Sequence, residues 1–182
     1  DKHNMVDNVI FSPRANLRFN PTQNINLRLS YSSGFRAPQA FDEDMHIENV
    51  GGTVAMIERA KDLKEEKSQS FSVSADMYHR FGAFQTNLLI EGFYTRLTDV
   101  FVLGKPYDRG DGILVKTRSN GPGAKVMGLT LEGKVAYLSI LQIQAGLTLQ
   151  RSRYDEPHKW HDDAPAEKKI FRTPDTYGYF TA

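Results

Sequence analysis

The sequence predicts an all-β protein, an antiparallel up-and-down meander of about seven strands that forms part of a larger transmembrane β-barrel. Three observations lead there. Apolar and polar residues alternate strictly over several stretches, as they do in a strand whose two faces meet different surroundings. Short connections alternate with long polar ones. The face opposite the apolar one carries charges that a packed core would not accept unpaired.

Along the chain, residues 8–20 form the first expected strand. Residues 24–32 form the second, with Ile25, Leu27, Leu29 and Tyr31 on one face and Asn26, Arg28, Ser30 and Ser32 on the other. Residues 68–79 set Phe71, Val73, Ala75 and Met77 against Ser70, Ser72, Ser74 and Asp76. Residues 84–102 and 113–137, like 8–20, alternate less cleanly. Residues 140–152 give the clearest case, with Leu141, Ile143, Ala145, Leu147 and Leu149 opposite Gln142, Gln144, Thr148, Gln150 and Ser152. A seventh strand is expected to open near Phe171.

Tight turns are expected at Pro21-Thr22-Gln23, Gly82-Ala83 and Leu138-Ser139-Ile140, and long polar loops at 36–66, 104–112 and 155–170. Outer-membrane barrels have this asymmetry, with short periplasmic turns and long extracellular loops. A tight hairpin must also keep the apolar faces of its two strands on one side. With Phe81 opposite Phe84, Met77, Ala75 and Val73 share a side with Leu88, Ile90 and Gly92. A Gly at the first central turn position suits a type II′ hairpin. With Asn20 opposite Asn24, Leu17 and Phe19 join Ile25 and Leu27. With Tyr137 opposite Leu141, Met127, Leu129, Leu131 and Val135 join Ile143 to Leu149. Leu141, Ile143, Leu147 and Leu149 should therefore meet lipid, and Gln142, Gln144 and Gln150 a wet lumen. The polar side also holds Arg14, Arg18, Arg28, Asp76, Glu91, Glu132 and Lys134. Aromatic residues gather near strand ends, among them Phe19, Tyr31, Phe35, Tyr78, Phe81, Phe84 and Tyr137, as interfacial girdles require.

Composition excludes several function classes. The 182 residues are 40% apolar and 25% charged, with a formal net charge of +1 and no cysteine. There is no basic excess for nucleic acid, and no disulfide, thiolate nucleophile or Cys-ligated zinc. The longest apolar runs, such as Leu88-Leu89-Ile90, fall far short of the roughly 18–20 residues of a membrane-spanning helix. Asp1-Lys2-His3-Asn4 lacks signal-peptide character, and Tyr177 to Ala182 break off inside a strand. The chain is accordingly expected to be a piece of a longer protein.

Ser30-Tyr31-Ser32-Ser33-Gly34-Phe35-Arg36-Ala37-Pro38 stands at a strand end, and Leu63-Lys64-Glu65-Glu66-Lys67-Ser68 at the next strand start. The pair resembles the TonB-dependent receptor pattern, in which a strand ending Phe-Arg-Ala-Pro enters an extracellular loop and the next strand follows Leu-Lys-Pro-Glu-Lys-Ser. Glu65 stands where that pattern has proline. Lys125 to Val135 and Phe171-Arg172-Thr173-Pro174 resemble later strands of the same family. The resemblance implies that residues 1–182 are a partial barrel, lacking the N-terminal plug and the remainder of about 22 strands. It further implies an outer-membrane active importer of a siderophore, haem, cobalamin or similar chelate, coupled to the TonB-ExbB-ExbD system, embedded in outer-membrane lipid and without a resident cofactor.

Candidate binding residues lie in the long loops. Arg36 can hold a carboxylate or phosphate through its planar fork, although the plainer reading is that Phe35 to Pro38 merely shape the rim. Pro38 lacks an N–H and biases Ala37 towards extended geometry. The loop Asp42-Glu43-Asp44-Met45-His46-Ile47-Glu48 offers carboxylates and an imidazole to calcium, haem or a chelate. The plainer reading is a solvated loop. Related haem receptors carry a histidine between the two motifs, which the resemblance extends to His46. His158-Lys159-Trp160-His161-Asp162-Asp163 could serve a metal or be a polar rim with Trp160 as anchor, and no spacing identifies an ion. Asp108-Arg109-Gly110-Asp111-Gly112 lacks the length and bidentate Glu of an EF-hand and reads as a turn. Ser68, Ser70, Ser72 and Ser74 have no His or Asp at activating spacing, so they read as lumenal polar residues and the chain as a non-enzyme. Two rivals remain at this point: a soluble lipocalin-like barrel with its apolar face inward, and a barrel enzyme with a rim site.

Overall fold

A computed structural model describes residues 10–38, 55–110, 114–138, 140–158, 165–170 and 173–182. Every regular element in it is a strand. The main sheet contains β1 (Arg14–Thr22), β2 (Ile25–Arg36), β4 (Glu66–Phe81), β5 (Phe84–Thr98), β9 (Ala124–Tyr137) and β10 (Leu141–His158), each antiparallel to the next. Both β11 (Glu167–Lys169) and β12 (Thr176–Thr181) pair with β10 on its far side, at the seventh position of the meander.

The tight turns fall at one end of this sheet. Phe81 pairs with Phe84 across Gly82, whose φ is +56° while that of Ala83 is not positive, as a II′ turn requires. Tyr137 pairs with Leu141. The first hairpin departs from expectation in register while keeping its parity. Phe19 pairs with Leu27 rather than Ile25, and Leu17 with Leu29. The turn sits at Gln23-Asn24, and the ladder shifts between Phe19 and Thr22. Pro21 explains the shift, because it has no N–H to donate and is tolerated in a strand at an edge or a bulge.

Two long alternating stretches are broken where a single strand was expected. Residues 84–102 divide at Asp99, where φ is +55°, into β5 and β6 (Phe101–Leu103). Residues 113–137 divide at Gly121-Pro122-Gly123 into β8 (Leu114–Asn120) and β9. The freed pieces join segments of the expected loops, β3 (Ala55–Arg59) and β7 (Tyr107–Asp108), in a second sheet with β8 at its centre. There β3 runs parallel to β8, and β6 and β7 run antiparallel to it. This sheet stands at the end opposite the tight turns, and its Val115 is 1% exposed. The expected strand near Phe171 begins at Thr176, and Phe171 and Arg172 lie outside the described residues.

Burial in the main sheet is inverted relative to a soluble protein. Leu29, Val73, Leu129, Leu147 and Leu149 are exposed, with Val73 at 59%. Their polar neighbours Ser72, Ser74, Thr130 and Gln150 are half-buried, and Thr148 is 6% exposed. Val115 and Ala124 are the buried apolar side chains among the described residues. A lipocalin-like barrel would turn its apolar side chains inward, so this distribution argues against that rival.

The exposed apolar face is bounded at both ends by aromatic rings. Near the tight turns, Phe81 lies 5.5 Å from Phe84, and Phe84 lies 4.9 Å from Tyr137. Towards the other end, Tyr31 lies 4.8 Å from Phe71, which pairs with Tyr94. From Phe84 to Tyr94 the strand climbs about 33 Å at roughly 3.3 Å per residue. Tilted by about 40°, this spans about 25 Å, the height of the apolar band of an outer-membrane barrel.

Candidate functional site

The two motif segments meet at the rim away from the tight turns. Phe35 pairs with Lys67 and Arg36 with Glu66, the last pairs of β2 and β4. Ala37 and Pro38 then leave the ladder. The Arg36 guanidinium lies over the ring of Phe101, 5.5 Å from its centroid. The Phe101 N–H donates to Glu66 Oε2 at 3.3 Å. One residue of β6 is thus gripped by both members of the motif's terminal pair. A cation over an aromatic face at an exposed site contributes about 0.5–1 kcal/mol.

Lys64 is held from another direction. Its N–H donates to Asn120 Oδ1 at 2.7 Å, and Asn120 Nδ2 donates to the carbonyls of Lys64 at 3.0 Å and Asp99 at 2.8 Å. Asn120, the last residue of β8, therefore ties the Leu63–Ser68 segment to the chain reversal after β5. The Leu63 N–H donates to the Ala60 carbonyl. Ser68 pairs with Gly34, where a Cβ would stand 2.9 Å from Ser68 Oγ. The Glu65 carboxyl is held below its ordinary range by its own backbone N–H and then by Lys67, whose Nζ is 3.0 Å away. Burial, followed by the nearby Arg36 charge, pushes the Arg118 guanidinium of β8 down.

The polar face of the wall is a lattice of cross-strand hydrogen bonds. Ser70 meets Thr95 at 2.9 Å and Thr130 meets Thr148 at 3.0 Å. Gln144 Nε2 donates to Glu132 Oε1 and to the Tyr179 hydroxyl, each at 2.8 Å. Asp76 accepts from Tyr78 at 2.8 Å and from Asn87. Among the described residues, Asn26 Oδ1 and Ser152 Oγ are buried without a partner. The serines at 68, 70, 72 and 74 run along this face as lumenal side chains would.

Of the sequence-derived candidates, Arg36, Phe35, Ala37, Pro38, Leu63, Lys64, Glu66 and Ser68 come together at one rim. Asp42, Glu43, Asp44, His46 and Trp160 lie outside the described residues, as does Asp111. Among the described residues no group of three or more His, Asp or Glu is arranged to hold a metal ion. Sequence reasoning did not single out Phe101 and Asn120. Their contacts with the motif span separations of 35 and 56 residues, which no local pattern reports.

A family model described as TonB dependent receptor-like, beta-barrel matches residues 2–181. The chain belongs to this family. The apolar face of this TonB-dependent receptor barrel is therefore its lipid-facing surface, its place is the outer membrane, and the half-buried polar face lines the lumen. Solved barrels share the fold. The FrpB iron transporter from Neisseria meningitidis, F3-3 variant, is 19% identical with a TM-score of 0.55, covering 79% of this chain and 20% of that one. The F5-1 variant is 19% identical with a TM-score of 0.55, covering 84% of this chain and 21% of that one. The chain thus spans about a fifth of their length. No curated protein matches the sequence.

Proposed function

We propose that this segment is an arc of the barrel wall of an active outer-membrane importer. The plug and the remaining strands belong to the rest of the receptor. The long loops on the motif side capture a scarce nutrient, and energy from the TonB-ExbB-ExbD system, acting through the plug, releases it to the periplasm. No residue of the described wall is assigned a catalytic role. The observation that carries this reading is the inverted burial of the wall: lipid-facing leucines and valines outside, a hydrogen-bonded polar lattice inside. Such a lumen suits a plug that has to move against it, because polar contacts exchange with water at small net cost.

The family match supports energy-coupled import. The iron transporters that share the fold favour an iron-bearing cargo, such as a ferric siderophore or haem, over cobalamin. Asp42, Glu43, Asp44, His46, Trp160 and Arg36 are the proposed loop contacts for that cargo. Cells producing the intact receptor should accumulate radiolabelled iron from at least one chelate or from haem, and lose that uptake when TonB is deleted. Undiminished uptake without TonB would refute the mechanism. Haem-dependent growth unchanged by His46→Ala would remove His46 from the site.

A further inference from the structure

The lipid-facing surface changes character just above its upper aromatic rings. Arg96 pairs with Lys125, Lys125 with Arg153, and Arg153 with Lys169, so four adjacent strands place cations side by side in one row. Arg96, Lys125 and Arg153 lie on the same face as Tyr94, Met127 and Leu149, because residues two apart in a strand share a face. Like charges directly opposite each other across strands are destabilising. Two carboxylates relieve the ends of the row. Asp155 lies 3.4 Å from Arg96 and 2.8 Å from Lys125, and Asp175 lies 2.7 Å from Lys169. Lys168 donates to the Asp155 carbonyl at 2.7 Å. Arg153 and its neighbour Arg151 are exposed and form no salt bridge with a described residue, although the Asp175 carboxyl also feels both charges. Two carboxylates thus stand against the four cations of the row and Arg151, which leaves an excess of positive charge.

An apolar groove leads up to that point. A shallow depression of about 830 Å³ is lined by Phe71, Tyr94, Met127 and Leu149 and ends at Arg151 and Arg153, with Asp175 beside them. A soluble anion would use the arginines and leave the groove idle, while a hydrocarbon chain alone would leave the arginines unanswered. We propose that this is a lipid site: acyl chains lie along the groove, and the phosphorylated headgroup of a lipid in the loop-side leaflet is held by Arg151 and Arg153 and flanked by Arg96, Lys125 and Lys169. The guanidinium forks match phosphate oxygens two at a time. The proposal concerns the outside of the wall and stands independently of the imported cargo.

Native mass spectrometry of the intact receptor in dodecyl maltoside, titrated with diphosphoryl lipid A, tests it. Each surface cation near an anionic headgroup is worth about fivefold in affinity. Arg151→Gln with Arg153→Gln should weaken binding about 25-fold, and Asp175→Asn should strengthen it about fivefold. The same lipid stripped of its phosphates should bind at least as weakly as it does to the double variant. Should the double variant fail to fold, Asp175→Asn and the dephosphorylated lipid decide the matter alone. Equal affinity of wild type and double variant, equal binding of the dephosphorylated lipid, or full displacement by equimolar inorganic phosphate would each overturn the site.

Discussion

Placing a charge at Leu131 should separate the two faces of the wall by energy. Leu131 is exposed on the apolar face and pairs with Ile90 and Leu147. Each residue of a strand tilted by about 40° gains roughly 2.5 Å of height. Leu131 therefore lies about 15 Å above Tyr137 and about 10 Å below Met127, near mid-membrane. Arginine at such a lipid-facing depth costs about 2–4 kcal/mol, against about 0–1 kcal/mol near an interface. Leu131→Arg should thus lower the folding equilibrium constant roughly 30- to 700-fold. Met127→Arg, at the level of Arg151, should cost at most about 1 kcal/mol. Glu91 lies on the polar face at the same height as Leu131, opposite Ser74 and Thr130. Glu91→Arg should stay within about 1 kcal/mol, as surface changes do. Reversible guanidinium unfolding of the intact barrel in lipid vesicles, followed by tryptophan emission, gives all three values. If Leu131→Arg proved no costlier than Glu91→Arg, the assignment of faces would be wrong.

Three further outcomes follow from local geometry. Gly128→Ala puts a Cβ 2.6 Å from both Phe93 Cζ and the Leu149 carbonyl oxygen; because the latter is backbone, the variant should lose about 1–3 kcal/mol in the same unfolding assay. Asn120→Ala removes the contacts to Lys64 and Asp99, and deuterium exchange at the Lys64 amide should accelerate at least tenfold while exchange in β9 and β10 is unchanged. Lys169, with Arg153 and Arg151 beyond it, holds the Asp175 carboxyl below its ordinary value of 3.8. A depressed carboxylate stabilises the fold above its unfolded value, and that contribution disappears as the pH falls through the folded one. Carbon-detected NMR should place the Asp175 midpoint under 3.8, and Lys169→Met should move it up; a midpoint unmoved by that change would rule out the pairing.

The wall was legible in the sequence because its signals are local. Leu141 to Leu149 alternate with glutamines and threonine, and a strand's period of two leaves no other face for them. Gly82 announced a II′ turn and so fixed the pairs from Phe81 and Phe84 upward. The first hairpin is shifted by two residues from expectation because Pro21 lies within β1 at a shift in the ladder, and the chain reverses only at Gln23-Asn24. The second sheet was illegible for a different reason. Ala55–Arg59 is short, and its partner Leu114–Asn120 is distant and parallel, a pairing that leaves no hairpin signal. Gly121-Pro122-Gly123 is the local signal for the break before β9, but residues 113–137 were expected to form one strand despite their imperfect alternation. At the rim, the motif residues were found by resemblance, while their partners Phe101 and Asn120 depend on the folded path of the chain.

The three tight hairpins have a bearing on how such a receptor can change. Pairing that starts at a two- or three-residue turn closes almost no loop, so the wall can zip from its periplasmic end without consulting the far loops. Doubling the length of a loop adds only about 0.6 kcal/mol of closure entropy. The turns thus act as the barrel's ruler, and the loop side inherits the freedom. Insertions, deletions and replacements in those loops need not disturb the pairs from β1 to β10, so an old scaffold can change one loop at a time.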